Sequence, residues 1–182
     1  MAESSVMLGL GTSLSPFSLP DVVSGKIISS VDFGGKPFLV MFICRHCPYV
    51  KHVQVELAKI GREYEGKAGI AAISSNEAET YPEDAPGSLK EQAEELGFNF
   101  PYLYDESQDA ARAFSAVCTP DLFLFDSEGK LVYRGQLDDS RPDSAIPVTG
   151  KDLRAALDAL LSGQKVSEDQ KPSVGCSIKW KA

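Results

Sequence analysis

The chain has 182 residues, 43% of them hydrophobic, with 18 basic against 26 acidic side chains and a net charge of −8. That length and apolar content suit one domain with its own core and exclude a disordered chain. The acid excess, without any Lys/Arg-rich block, argues against nucleic-acid or anionic-membrane partners, and four cysteines are too few for a disulfide-built scaffold.

The start, Met1-Ala-Glu-Ser-Ser5, carries an acid and no basic residue, and the apolar stretch Val6–Leu10 is short and holds a glycine. It lacks the charged head and apolar middle of a signal peptide, and no run is long enough for a membrane span, so the expectation is a soluble cytoplasmic protein. Residues 11–37 read as a short β region, with Phe17, Leu19 and Ile27-Ile28 broken by prolines and glycines. Phe38–Ile43 is apolar throughout, as a strand buried on both faces should be. It gives way at Cys44-Arg45-His46-Cys47-Pro48 to helical spacing: Val50, Val53, Leu57, Ile60 and Tyr64 share one face, and Gly66 suits the end.

Ala68–Ile73 reads as the next buried strand, and Glu77–Gly87 as an acidic, proline-bearing loop outside the core. Ser88 with Glu91 forms a capping-box pattern for a helix lined by Leu89, Ala93 and Leu96 and closed by Gly97. A short helix fits Gln108–Val117. Leu122–Phe125 and Leu131–Arg134 read as strands joined by the turn signal Asp126-Ser-Glu-Gly129-Lys130. Thr149 with Asp152 opens a last helix, in which Leu153, Ala156, Leu157, Leu160 and Leu161 recur at helical spacing. The order β, α, β, α, α, β-hairpin, α predicts an α/β fold with a central mixed sheet, helices on both faces and an N-terminal β extension. Three segments are expected: an N-terminal stretch at 1–11, a domain at 12–162 and a polar tail at 163–182.

Two cysteines two residues apart at a strand-to-helix junction can close a small disulfide ring. Cys44 is expected at the helix N-terminus, where free N–H groups and the macrodipole favour an anion. Arg45 and His46 add positive charge, and all three effects should depress the Cys44 pKa and make its disulfide more oxidising. The same pair also reads as a structural pair or a zinc half-site. Zinc would need two more ligands, which His52 and Cys176 could supply, but no second CxxC or His-x-His motif exists, so no metal is expected. His52 is otherwise a polar helix residue without an assigned role. Cys118 is either an additional thiol for mixed disulfides or a buried inert cysteine. Cys176 is either a third redox thiol folding back on the pair or a passive one, and Trp180 could dock the tail.

Three features carry a resemblance: Ser15-Pro-Phe-Ser-Leu-Pro-Asp21, Cys44-Arg-His-Cys47 after a buried strand, and Cys118-Thr119-Pro120 before Asp121-Leu-Phe-Leu-Phe125. Over roughly residues 12–162 the chain resembles the thioredoxin superfamily, and within it the AhpC/TSA-type redoxins with a C-x-H-C-P motif. The tail Gly175-Cys-Ser-Ile-Lys-Trp-Lys181 and the Asp138, Asp139, Arg141 loop look like the same subgroup, although surface ion pairing also suits that loop. The resemblance implies a thioredoxin-like fold and a redox-active disulfide without other cofactors. It implies Cys44 as exposed attacking thiolate, Cys47 as buried resolving thiol, and Pro120 as a cis-proline that presents the Thr119 backbone to an extended substrate segment. Met41 stands where thioredoxins carry a buried acid, and where peroxiredoxins carry a hydroxyl three residues before their reactive cysteine.

The expected function is thiol–disulfide exchange on protein or small-molecule disulfides, with electrons from a thioredoxin- or glutathione-type donor. A second reading is a peroxiredoxin-like thiol peroxidase using Cys44. A third is a zinc-holding or redox-sensing module.

Overall fold

The computed structural model describes residues 1–182. Its elements begin with three short strands, Ala2–Ser4 (β1), Ser18–Pro20 (β2) and Ile27–Ser29 (β3), then Phe38–Phe42 (β4) and the long helix Pro48–Glu63 (α1). Gly69–Ser74 (β5), Pro86–Leu96 (α2), Tyr102–Tyr104 (β6), Asp109–Ala113 (α3) and Cys118–Thr119 (β7) follow. Asp121–Phe125 (β8), Leu131–Gly135 (β9), Lys151–Leu161 (α4) and Val174–Ser177 (β10) complete the chain.

Successive side chains of a strand point to opposite faces, and β4 shows what that does here. Phe38, Val40 and Phe42 enter one core, while Leu39, Met41 and the following Ile43 enter the other. The first core is aromatic: Phe114 meets Phe42, Phe123 and Phe125 edge-on, at centroid distances of 5.4 to 5.9 Å. Ala110 and Ala111 of α3 cover it. The second core receives Val50, Val53, Leu57 and Ile60 of α1, Leu89 and Ala93 of α2, and Leu153, Ala156 and Leu157 of α4. Burial on both faces is why β4 is apolar throughout.

The central sheet runs β6-β5-β4-β8-β9. Its first three strands are parallel and the β8-β9 hairpin returns antiparallel, so the sheet is mixed, with helices on both faces. No helix is long and apolar enough to cross a membrane.

Several expected boundaries shift. The second helix starts at Pro86 rather than at a Ser88 cap; Ser88 instead donates to Pro82 O (3.3 Å), and Glu91 pairs with Arg45. The helix expected over 108–117 shrinks to α3, because Gln108 adopts a left-handed conformation (φ 66°) and Ser115 another (φ 54°). The last helix begins at Lys151, whose N–H the Thr149 hydroxyl accepts (3.3 Å); Leu137 O accepts those of Asp152 and Leu153, and buried Asp138 holds the turn before the helix through the N–H groups of Thr149 (2.7 Å) and Gly150 (2.6 Å).

The largest departure concerns the two ends of the chain. The segments expected at 1–11 and 163–182 join in a second sheet of order β1-β10-β7. The tail crosses Gly135, where a Cβ would sit 2.0 Å from Lys171 O, and Gln136 N–H donates to the same carbonyl (3.1 Å). It then pairs with β7 in the register Cys176 opposite Thr119 and Ser177 opposite Cys118. Beyond the strand, Ile178 N–H donates to Val117 O (2.9 Å), Lys179 N–H to Asn76 (2.8 Å) and Lys181 N–H to Gln108 (2.9 Å). Trp180 lies under the Arg112 guanidinium, 5.0 Å from its ring centroid. The tail is thus an integral strap rather than an appendage.

Candidate active site

Helix α1 begins at Pro48, so Cys47 is its N-cap and Cys44 precedes the helix by a full turn. Proline at the first helical position costs nothing, since its missing N–H would have had no partner. This corrects the expectation that Cys44 lies at the helix N-terminus. It also corrects its exposure, because the Cys44 and Cys47 side chains are both wholly buried.

The two sulfurs occupy different environments. Burial, a hydrogen bond with Cys47 and the nearby Asp84 charge push the Cys44 thiol well above its ordinary value. The Cys47 thiol is lowered to about 5: the Cys44 thiol donates towards it, and against the cost of burial the Cys176 thiol and the N–H groups of Val50 and Cys176 add further stabilisation. Val50 N–H is one of the unpaired donors of the first helical turn. The helix terminus therefore acts on the second cysteine of the motif.

Arg45 does not serve as a charge beside Cys44, and His46, near it, is paired with Asp84. The Arg45 guanidinium turns away to Ser88 O (2.8 Å), Glu91 (2.8 Å) and Glu95 (3.5 Å) on α2. The His46 ring bonds through Nδ1 to Asp84 and stacks on Tyr81 at 5.3 Å. Asp84 comes from the acidic loop that the sequence placed outside the core, yet it is fully buried. Its carboxylate accepts the backbone N–H groups of Arg45 (2.8 Å) and His46 (3.1 Å) and the Asn76 amide (2.8 Å), which fixes the turn between the cysteines. Burial opposes the Asp84 charge, but the bonds from His46, Asn76 and Arg45 outweigh it and hold the carboxyl below its usual range. The bond to Asp84 in turn raises the His46 pKa against burial. Asp84 was missed because one acid in an acidic loop carries no local signal.

Ligand atoms of Cys44, His46 and Asp84 lie within 4.8 Å of one another. They could approach a metal together, but Asp84 already accepts four donors, which commits its carboxylate to the turn and to His46. It supplies near Cys44 the acid that Met41 does not.

Thr119 joins the two sulfurs. Its hydroxyl lies 3.3 Å from Cys44 Sγ, and its carbonyl accepts from the Cys47 thiol at 3.4 Å when that thiol is protonated. The Thr119–Pro120 bond is cis. Cys118, one residue earlier, points to the opposite side. Burial and the neighbouring Asp121 raise its pKa strongly, and it does not join the cluster. Cys176 does join it, packing against the core that holds Cys44 and Cys47. Burial and its hydrogen bond with Cys47 raise it to about 11. His52 bonds Ser140 Oγ (2.7 Å), which in turn donates to Ile146 O, so it pins a loop rather than the site. In that loop Asp139 makes surface pairs with Lys151 (2.7 Å) and Lys171 (2.8 Å), while Arg141 donates to Asp138 O, Ser140 O and Gln136.

A parallel βαβ core returning through an antiparallel hairpin, with CxxC ahead of its long helix and Thr-cis-Pro opposite, defines a thioredoxin-like redoxin. A crystal structure of an uncharacterized conserved protein from Geobacillus kaustophilus superposes with a TM-score of 0.97 at 54% identity, covering 100% of this chain and 97% of that one. A hypothetical protein from Sinorhizobium meliloti 1021 gives 0.96 at 44% identity, covering 98% of each chain. A secreted Mycobacterium tuberculosis disulfide oxidoreductase gives 0.63 at 14% identity, over 79% of this chain and 96% of that one, a likeness of fold. No curated protein matches the chain. The profile of the AhpC/TSA family matches residues 10–134, and the chain belongs to that family.

Proposed function

We propose that the protein is a thiol–disulfide oxidoreductase in which Cys47 is the ionised nucleophile and Cys44 the resolving thiol. The observation that carries this reading is the placement of Cys47 as the N-cap residue of α1, beside the free N–H groups of its first turn and within the Cys44–Thr119–Cys176 cluster. Its thiolate attacks one sulfur of a substrate disulfide; the other sulfur leaves as a thiolate and takes up a proton. Cys44 then passes its proton to the His46–Asp84 pair and attacks Cys47, releasing the second substrate thiol and leaving a Cys44–Cys47 disulfide. A thioredoxin- or glutathione-type donor returns the two electrons. The disulfide itself is the redox centre, so the reaction needs no organic cofactor or metal, and it suits a cytoplasmic thiol pool.

Reduction of oxidised glutathione or insulin tests the roles. Cys47→Ser should abolish turnover. Cys44→Ser combined with Cys176→Ser should complete the first step and accumulate a mixed disulfide on Cys47, and thiolate absorbance near 240 nm should titrate around pH 5 and vanish in Cys47→Ser. Mixed disulfides trapped on Cys44 by Cys47→Ser would reverse the assignment. Rapid Cys47-dependent consumption of hydrogen peroxide with negligible disulfide reduction would replace it with a peroxidase.

A further inference from the structure

The reacting pair is sealed. Cys44 and Cys47 have no exposed surface, whereas Cys176 is only partly buried. What seals the pair is β10. Its Cys176 lies opposite Thr119, the residue whose backbone would otherwise be open to an extended substrate segment. The approach is close and specific: a Cβ at position 175 would lie 1.8 Å from Thr119 O, so only glycine lets the strand seat there. The strap is held on both sides, by β1 along its outer edge and by Ile178, Lys179 and Lys181 beyond it. It therefore fills the place of a substrate strand and sets one sulfur between the buried pair and solvent.

We propose that Cys176 is the outward-facing redox thiol of this site, forming a disulfide with Cys47 and exchanging it with low-molecular-weight thiols and disulfides. This rests on Cys47 being the nucleophile of the pair. Starting from the Cys44–Cys47 disulfide, Cys176 loses its proton to solvent and its thiolate attacks Cys47 Sγ. The Cys47–Cys176 bond forms, the Cys44–Cys47 bond breaks, and Cys44 leaves as a thiolate that takes up a proton, so no electrons enter or leave. An external thiol, as its thiolate, then attacks the accessible Cys176 sulfur. The Cys47–Cys176 bond breaks and Cys47 departs as a thiolate, the better leaving group of the two because its conjugate acid is the stronger. A second external thiolate attacks the external sulfur of the resulting mixed disulfide, releasing Cys176 and one small-molecule disulfide. In sum, two external thiols are oxidised to a disulfide and the protein disulfide is reduced to two thiols. The reverse sequence reduces a small disulfide. Because β10 occupies the β7 edge, the site selects small thiols over extended peptides.

Full-length protein and its Cys44→Ser and Cys176→Ser variants, each checked for native circular dichroism, are treated with oxidised glutathione, alkylated, digested and mapped by mass spectrometry. Cys44→Ser should yield an intramolecular Cys47–Cys176 disulfide. Cys176→Ser should still form Cys44–Cys47 but exchange with glutathione about tenfold or more slowly than the unmodified chain, while insulin reduction falls no further than that. A Cys44→Ser protein holding glutathione on Cys47 with Cys176 free, or a Cys176→Ser protein exchanging at the full rate, overturns the inference and leaves the oxidoreductase reading standing. Absence of any Cys47 disulfide in every protein overturns both.

Discussion

Asp121 shows how one side chain can carry a measurable cost. It lies beside the cis-proline, and only one of its carboxylate oxygens has a partner, Ser5 Oγ at 2.8 Å; the other is buried without one. Burial raises its pKa to about 7. The folded state then holds a proton that the unfolded chain releases near pH 4, so stability falls as pH rises from about 4 to about 7. Asp121→Asn should flatten that segment of a denaturation profile and leave the protein at least as stable as the parent at pH 8, the parent's loss being on the order of a few kcal/mol. A second residue, Asp84, bears on the resolving step. Asp84→Asn keeps an acceptor for the Arg45 and His46 N–H groups but removes the charge that raises the basicity of His46, and should slow release of a mixed disulfide while sparing its formation. At this scale the motif was legible and the placement of its two cysteines relative to the helix start was not. Cys44, Cys47, Thr119 and Cys176 all stood out in the chain, yet Pro48 was also a signal. A proline opening a helix marks the residue before it as the cap, and that residue is Cys47.

The strands that the sequence concealed are the short ones. Tyr102–Tyr104 and Val174–Ser177 have too few residues for alternation to rise above noise, and the latter has only one fully buried residue, a glycine. Long-range pairing makes them strands, with Ala72–Ser74 for the first and Cys118-Thr119 for the second. The long elements β4, β5, α1 and α4 were readable because their apolar period persists over several turns or across a whole buried strand. The acidic loop was misplaced for a related reason: its value lies in Asp84 reaching across to the CxxC turn, a contact between positions 39 apart. The strap's dependence on glycine gives a direct test. Gly175→Ala should cost about 1–3 kcal/mol in urea unfolding. It should also speed alkylation of Cys47 by iodoacetamide, since the strand that covers the sulfur can no longer seat against Thr119. Unchanged alkylation would mean that β10 is not the barrier.

For the molecule as a whole, stability is linked to redox state through one proton. The folded, reduced chain ionises Cys47 around pH 5, whereas an unfolded thiol does so near 9. The depressed value adds stability that is complete above about pH 9 and is lost as pH falls through about 5. A Cys44–Cys47 disulfide abolishes this titration in both folded and unfolded states. The reduced protein should therefore gain stability relative to the oxidised one as pH rises from about 5 to about 9, and its equilibrium with glutathione should be more oxidising than that of ordinary thioredoxin. Calorimetry of both forms across that range checks the first expectation, and a glutathione redox titration the second.

The chain contains a single tryptophan, and it sits four residues beyond Cys176, beneath Arg112. Its fluorescence comes from one indole, so any unseating of the strap would change that indole's surroundings. Emission colour and quenching by iodide thus give a label-free optical gauge of seating. A stopped-flow trace can follow the C-terminus during turnover without any added dye.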